Sequence, residues 1–245
     1  NNATSGTITL NSYGVALSGS TSDIKAALAG TFASSYTGNV TLGDANTTDI
    51  TSTDITTIAN KASGTVTVTN NIDINGTAAG VTSAVGVVDT FSGTPTATLN
   101  NAHTLAELKA INNAIDGTLT LNDYGVALSG STADLKAALA GTFASSYTGN
   151  VTISDADTTG IVATDITAIE AATDGTVTVS NNINLTGTSA EIAAAVADVN
   201  TFSGTPTATL SDAHTLAELK AINNKLSGTL TLNDVTVALS GSSAD

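Results

Sequence analysis

Cysteine, methionine, tryptophan and arginine are absent from this 245-residue chain; proline occurs twice and aromatic residues make up 3%. Without cysteine there are no disulfide staples, no thiolate metal sites and no thiol nucleophile. Basic residues are scarce as well: six lysines face 21 acidic side chains, for a net charge of −15. Phosphate contacts and binding to anionic lipid both draw on clustered basic residues, so neither nucleic acid nor a membrane surface is an expected partner. No apolar run approaches the roughly 20 residues that span a bilayer, and the first residues lack the basic, apolar, cleavable pattern of a signal peptide. What remains is a chain rich in Thr, Ser, Asn, Gly and Ala, 41% hydrophobic, whose core must be filled by Ala, Val, Ile and Leu.

That material is repeated. Residues 13–41 recur as residues 124–152 with two differences, Ser22/Ala133 and Ile24/Leu135. The same shift of 111 pairs all eight aromatics, both histidines (His103/His214) and both prolines (Pro95/Pro206). An enzyme site is built once from unique residues, so duplication of every distinctive side chain favours a scaffold over catalysis. Within the super-repeat, Gly followed by Thr or Asn opens a strand pattern at Gly6, Gly38, Gly64 and Gly93, and again at Gly117, Gly149, Gly175 and Gly204, with Gly228 starting a further round. The spacings run 32, 26, 29 and 24 residues in each cycle. Units of 20 to 50 residues stack because none buries its apolar face alone. The organisation expected is therefore residues 1–5 ending a preceding coil, super-repeats over 6–116 and 117–227, and an incomplete coil over 228–245. Neither end carries a polar cap, which reads as a window on a longer protein.

Residues 175–203 illustrate one coil. Thr176, Val177, Thr178 and Val179 alternate, placing valines inward and threonines outward on a short strand. Asn181 and Asn182 turn the chain into a second strand over 183–186. Thr188 and Glu191 then form a capping box ahead of Ile192, Val196 and Val199 at helical spacing. Further helices are predicted over 22–29, 53–61, 79–88 and 105–112 and their equivalents 111 residues on, with Ile24, Leu28, Leu105, Leu108 and Ile111 as buried stripe. Thr104/Glu107 and Thr215/Glu218 supply two more capping boxes, and Ser20/Asp23 and Ser131/Asp134 weaker ones. Strand, turn, helix and strand at this period predict an α/β solenoid with a parallel strand stack, short helices and coils of 24–32 residues. An all-β solenoid with helical corners is the alternative.

Three surface features are candidates for function. Outward threonines recur as Thr65/Thr67, Thr118/Thr120 and Thr176/Thr178; strands stacked in register would set them about 4.8 Å apart. Such TxT grids resemble the ice-binding face of β-solenoid antifreeze proteins, whereas strand propensity alone also puts Thr on a solvated face. Acidic and amide residues cluster at the turns, and the run from Asp155 through Asp157 to Gly160 resembles the opening of a calcium loop. Ile166 stands where such a loop has its glutamate, and the equivalent run from Asp44 lacks the glycine as well. Asp44, Asp155 and Asp157 are thus the candidate calcium ligands, against a plain ladder that satisfies turn backbone groups. His103 and His214 precede helix caps with no second histidine in their coils, and read as partly exposed turn residues. No hydrolase, metalloprotease or nucleotide-binding motif occurs, so no cofactor is expected beyond that candidate calcium.

The Gly-Thr-x-Thr strand starts and the Leu-Ala-Glu-Leu-Lys-Ala-Ile-Asn segments, in a cysteine-free and nearly identical array, resemble the repeat regions of very large bacterial cell-surface and extracellular proteins, marine cyanobacteria among their sources. The resemblance implies adhesion, surface-layer or filament roles, an extracellular or cell-surface location, and export without disulfides. The function expected is that of a non-enzymatic structural rod whose partners are neighbouring repeats or other copies. An ice- or surface-binding module and a calcium-rigidified adhesin arm are the alternatives.

Overall fold

The structure, a computed structural model, describes residues 6–241. The expected coil end at residues 1–5 and the last four residues of the incomplete coil lie outside the described residues. Contacts divide the chain into two compact units: residues up to 123 together with 141–145, and residues 124–140 together with those from 146 onward.

The first unit contains β1 (Leu17–Gly19), α1 (Thr21–Leu28), β2 (Val40–Leu42), β3 (Asp49–Thr51), α2 (Ser52–Lys61), β4 (Val66–Val68), β5 (Asp73–Gly76), α3 (Ala78–Val87), β6 (Thr90–Phe91), β7 (Thr96–Leu99), α4 (Leu105–Ala114) and β8 (Leu119–Thr120). Two parallel sheets result, ordered β1-β2-β4-β6 and β3-β5-β7-β8. Strand, strand and helix therefore follow one another in each turn, and each helix packs on the helix of the next turn.

The second unit contains β9 (Leu128–Gly130), α5 (Thr132–Leu139), β10 (Val151–Ile153), β11 (Gly160–Val162), α6 (Ala163–Glu170), β12 (Val177–Val179), β13 (Asn184–Gly187), α7 (Ser189–Asp198), β14 (Thr201–Phe202), β15 (Thr207–Leu210), α8 (Leu216–Lys225) and β16 (Leu230–Thr231). Its parallel sheets run β9-β10-β12-β14 and β11-β13-β15-β16. The fold is α/β with eight short helices among the described residues, and the all-β alternative gives way to it.

Local sequence explains these elements. Val66 and Val68 are buried on either side of half-buried Thr67, and Val177 and Val179 repeat the pattern around Thr178. Each predicted helix forms within two residues of its expected ends. Capping boxes close at Thr104/Glu107, Thr188/Glu191 and Thr215/Glu218, and Ser20 and Ser131 accept from the Asp23 and Asp134 N–H groups. Ile24, Leu28, Leu108 and Ile111 are buried as the stripe predicts, while Leu105 at the first helical position is only half-buried. Alanines at the interface, such as Ala78, Ala84, Ala163 and Ala195, are fully buried and let helix and sheet backbones approach closely.

The coil frame differs from the one glycine spacing suggests. Paired residues are separated by 22 (Ala97↔Leu119) to 26 (Val40↔Val66) positions, a more even step than the expected 24–32. The strand after Gly93 does not continue the line of β4: β7 pairs with β5, and β4 pairs with the two-residue strand β6. Gly204 and β15 behave identically, pairing with β13 while β12 pairs with β14. The 29-residue spacing is thus one turn of ordinary length plus the step from the first strand of a turn to the second. Gly38 and Gly64 do stack as expected, and their backbones approach so closely that a Cβ at Gly64 would overlap the Gly38 carbonyl.

Candidate functional site

The turns between strands carry a ladder of side-chain oxygens that bond the backbone of the preceding coil. Both Asp44 carboxylate oxygens accept from the Thr21 N–H, at 3.1 and 2.9 Å, and one also accepts from the Thr21 hydroxyl at 2.5 Å. Asp155 accepts from Thr132 in the same way, at 2.8 Å from the N–H and 2.5 Å from the hydroxyl. Thr21 and Thr132 are the first residues of α1 and α5, whose N–H groups have no partner within their own helices. Each helix start is thereby held twice, by a hydroxyl in its own coil and by a carboxylate in the next, which also favours the positive end of the helix dipole.

The same role recurs with charge switched on or off. Asp89 accepts from the Val66 N–H at 2.7 Å, and Asn200 does so from Val177 at 2.7 Å. Asn101 accepts from the Ala78 N–H at 2.7 Å, and Asp212 from Ser189 at 2.7 Å. Asn46 accepts from the Asn71 N–H at 3.0 Å, and Asp157 from Asn182 at 2.8 Å. The members of each pair lie 111 residues apart, so carboxamide and carboxylate are interchangeable there. A cation site depends on the negative charge; an acceptor for a backbone N–H needs only the oxygen.

The three candidate calcium ligands thus sit in the ladder: Asp44 and Asp155 at helix starts, Asp157 on a turn N–H. No group of three or more His, Asp or Glu side chains converges among the described residues. The turns holding Asp44 and Asp155 are strained, because Thr47 (φ 62°) and Thr158 (φ 65°) adopt a left-handed backbone that branched side chains disfavour. The Thr47 and Thr158 N–H groups donate to the Asn71 and Asn182 carbonyls at 2.7 and 2.8 Å, which holds that conformation.

The six threonines of the expected grid do not share one face. Thr67 lies in the first sheet of the first unit in a row Ser18, Thr41, Thr67, Thr90, and Thr178 in the matching row Ser129, Thr152, Thr178, Thr201 of the second unit. Thr120 belongs to the other sheet of the first unit, where its row reads Thr51, Asn75, Thr98, Thr120. Thr65, Thr118 and Thr176 stand just before the strands, and the Thr65 and Thr176 N–H groups donate to Asn39 and Asn150. The rows are one residue wide because the strands span only two to four residues.

His103 and His214 are not turn residues on the surface. They are 4% and 5% exposed, tucked beneath the caps of α4 and α8. Burial pushes the His103 pKa down, opposed in part by Glu107 and Asp123. Glu218 is held below the usual carboxylate range by the Thr215 N–H, then by the Ser189 and Thr215 hydroxyls. The bond from Ser189 spans 2.8 Å and joins α7 to α8. Sequence reading also missed the ion pairs Lys25–Asp54 and Lys136–Asp165, which link successive helices. Their common separation of 29 residues is the only signal the sequence held.

Compared with known protein families, curated proteins and solved structures, the chain matches none of them.

Proposed function

We propose that the chain is a segment of an α/β solenoid rod in a large extracellular or cell-surface protein, with a mechanical role in spacing, surface coverage, adhesion or fibre formation. One observation carries this reading: polar side chains that would otherwise be candidates for chemistry accept backbone N–H groups of the neighbouring coil, and do so whether charged or neutral. Side chains committed in this way join turn to turn. Duplication of every aromatic and histidine supports the same view, since a rod needs equivalent parts and a catalytic centre needs a unique one. No helix among the described residues is long and apolar enough to cross a membrane, in keeping with a segment that is not inserted.

Small-angle scattering tests the reading. Inserting a second copy of residues 117–227 should lengthen the particle by about 20 Å, four further coils at strand spacing, at constant cross-sectional radius. A particle that instead grew in all directions would contradict the rod.

A further inference from the structure

The outer edge of β8 shows what this strand sequence receives. The Leu119 N–H donates to the Thr142 carbonyl at 2.8 Å, and the Ala144 N–H donates to the Leu119 carbonyl at 3.0 Å. Near the start of the chain the contact is repeated: Ile8 donates to Thr31 at 2.8 Å and accepts from Ala33 at 2.9 Å. Residues 30–36 and 141–147 are identical, Gly-Thr-Phe-Ala-Ser-Ser-Tyr, and the strands they meet read Gly-Thr-Ile-Thr-Leu and Gly-Thr-Leu-Thr-Leu.

Residues 228–232 are a third copy of that strand, Gly-Thr-Leu-Thr-Leu. Pairing of Ala208 with Leu230 occupies the inner edge of β16, and parallel geometry then turns the Leu230 N–H and carbonyl outward, as at Leu119. No described residue bonds them. Residues 239–241 repeat the Leu-Ser-Gly of β1 and β9, which pair with β2 and β10, yet here they form no strand. Apolar surface is open alongside. Leu108 and Leu119 are fully buried, whereas the equivalent Leu219 and Leu230 are only half-buried, and Val235 and Leu239 are 80% and 48% exposed. A groove of about 800 Å³ runs between α8 and residues 238–241. At the opposite end of the chain Val15 is 58% exposed.

We infer that residues 228–241 are a docking element for a second copy of this chain, where they replace residues 6–19 on the face formed by residues 31–42. The hydrogen bonds exchange one for one. Residues 6–10 hold Phe32 through a single isolated bridge, whereas the incoming strand arrives backed by β15 and α8, so the exchange also covers apolar surface now open at both ends. Donor and receiver are different surfaces, which makes the association heterologous and open-ended. This rests on the repeat-rod reading and names its partner.

Sedimentation of the 245-residue chain over a micromolar to millimolar series should show mass rising past the dimer. Phe32→Lys removes the receiver and Leu230→Pro the donor N–H; each variant alone should stay monomeric, and their mixture should stop at a one-to-one dimer. Hydrogen exchange on the unaltered chain gives a readout that does not depend on the variants folding. On association the Leu230 amide should slow about tenfold while the amides of residues 6–10 lose protection. A chain that remains monomeric throughout, or that associates with Leu230 still unprotected, would overturn the inference. Scattering that still lengthens on repeat insertion would leave the rod reading standing in that event.

Discussion

At the residue scale, close approach of backbones decides more than side-chain chemistry. A Cβ at Gly64 meets the Gly38 carbonyl carbon and oxygen and the Asn39 nitrogen, none of which is the free end of a side chain. Gly64→Ala is therefore expected to destabilise by about 3 kcal/mol, the upper range for overpacking, measured by denaturant unfolding. Gly86 in α3 is the control, because nothing lies within 4 Å of its Cβ position. There alanine should raise stability by about 0.5 to 1 kcal/mol, through helix propensity alone. His103 supplies a pH dependence of known sign. Its folded pKa lies below the ordinary value, so the unfolded chain binds the proton more readily. Its contribution to stability is complete above about pH 6.5 and is lost as pH falls below that toward the folded value. His103→Gln should flatten this part of the melting-temperature profile, and an unchanged slope would show that the titration lies elsewhere.

At the element scale, the ladder makes the sharpest prediction. If the acceptor oxygen is all that matters, Asp89→Asn should change stability by less than about 0.5 kcal/mol, and Asp89→Ala should cost about 1 to 2 kcal/mol by leaving the Val66 N–H without its partner. Thermal melts of the two variants check it, and equal losses would assign the role to charge. The ion pairs Lys25–Asp54 and Lys136–Asp165 are solvent-exposed enough to contribute no more than about 1 kcal/mol each.

Helices and caps were legible in the sequence because both signals are local: apolar residues at helical spacing, and a Thr or Ser three residues ahead of Glu or Asp. The ladder was legible only as a clustering of Asn and Asp at turns, since its partners lie 23 to 26 residues away and leave no mark in a short window. β6 and β14 were illegible for another reason. Two residues, Thr-Phe, have no period, and only the parallel pairing to Thr67-Val68 or Thr178-Val179 makes them strands. Burial of His103 and His214 was hidden similarly, because a single side chain just outside a helix has no pattern to place it on a face.

At the scale of the whole molecule, a net charge of −15 is carried on turns whose hydrogen bonding tolerates neutral substitutes. If those carboxylates serve only as acceptors, adding a chelator to protein prepared in calcium should leave the melting temperature unchanged; a fall on chelation would restore the calcium-rigidified reading.

The interchange of amide and acid has a bearing on ageing. Asparagine side chains hydrolyse slowly and lose ammonia, which in most folds introduces an unwanted charge. At Asn101 and Asn200 the hydrolysed side chain is the one already serving at Asp212 and Asp89, bonded to the same backbone donor at the same distance. A long-lived molecule outside the reach of cellular repair could accumulate this damage at its joints and keep its shape, growing only more acidic with time.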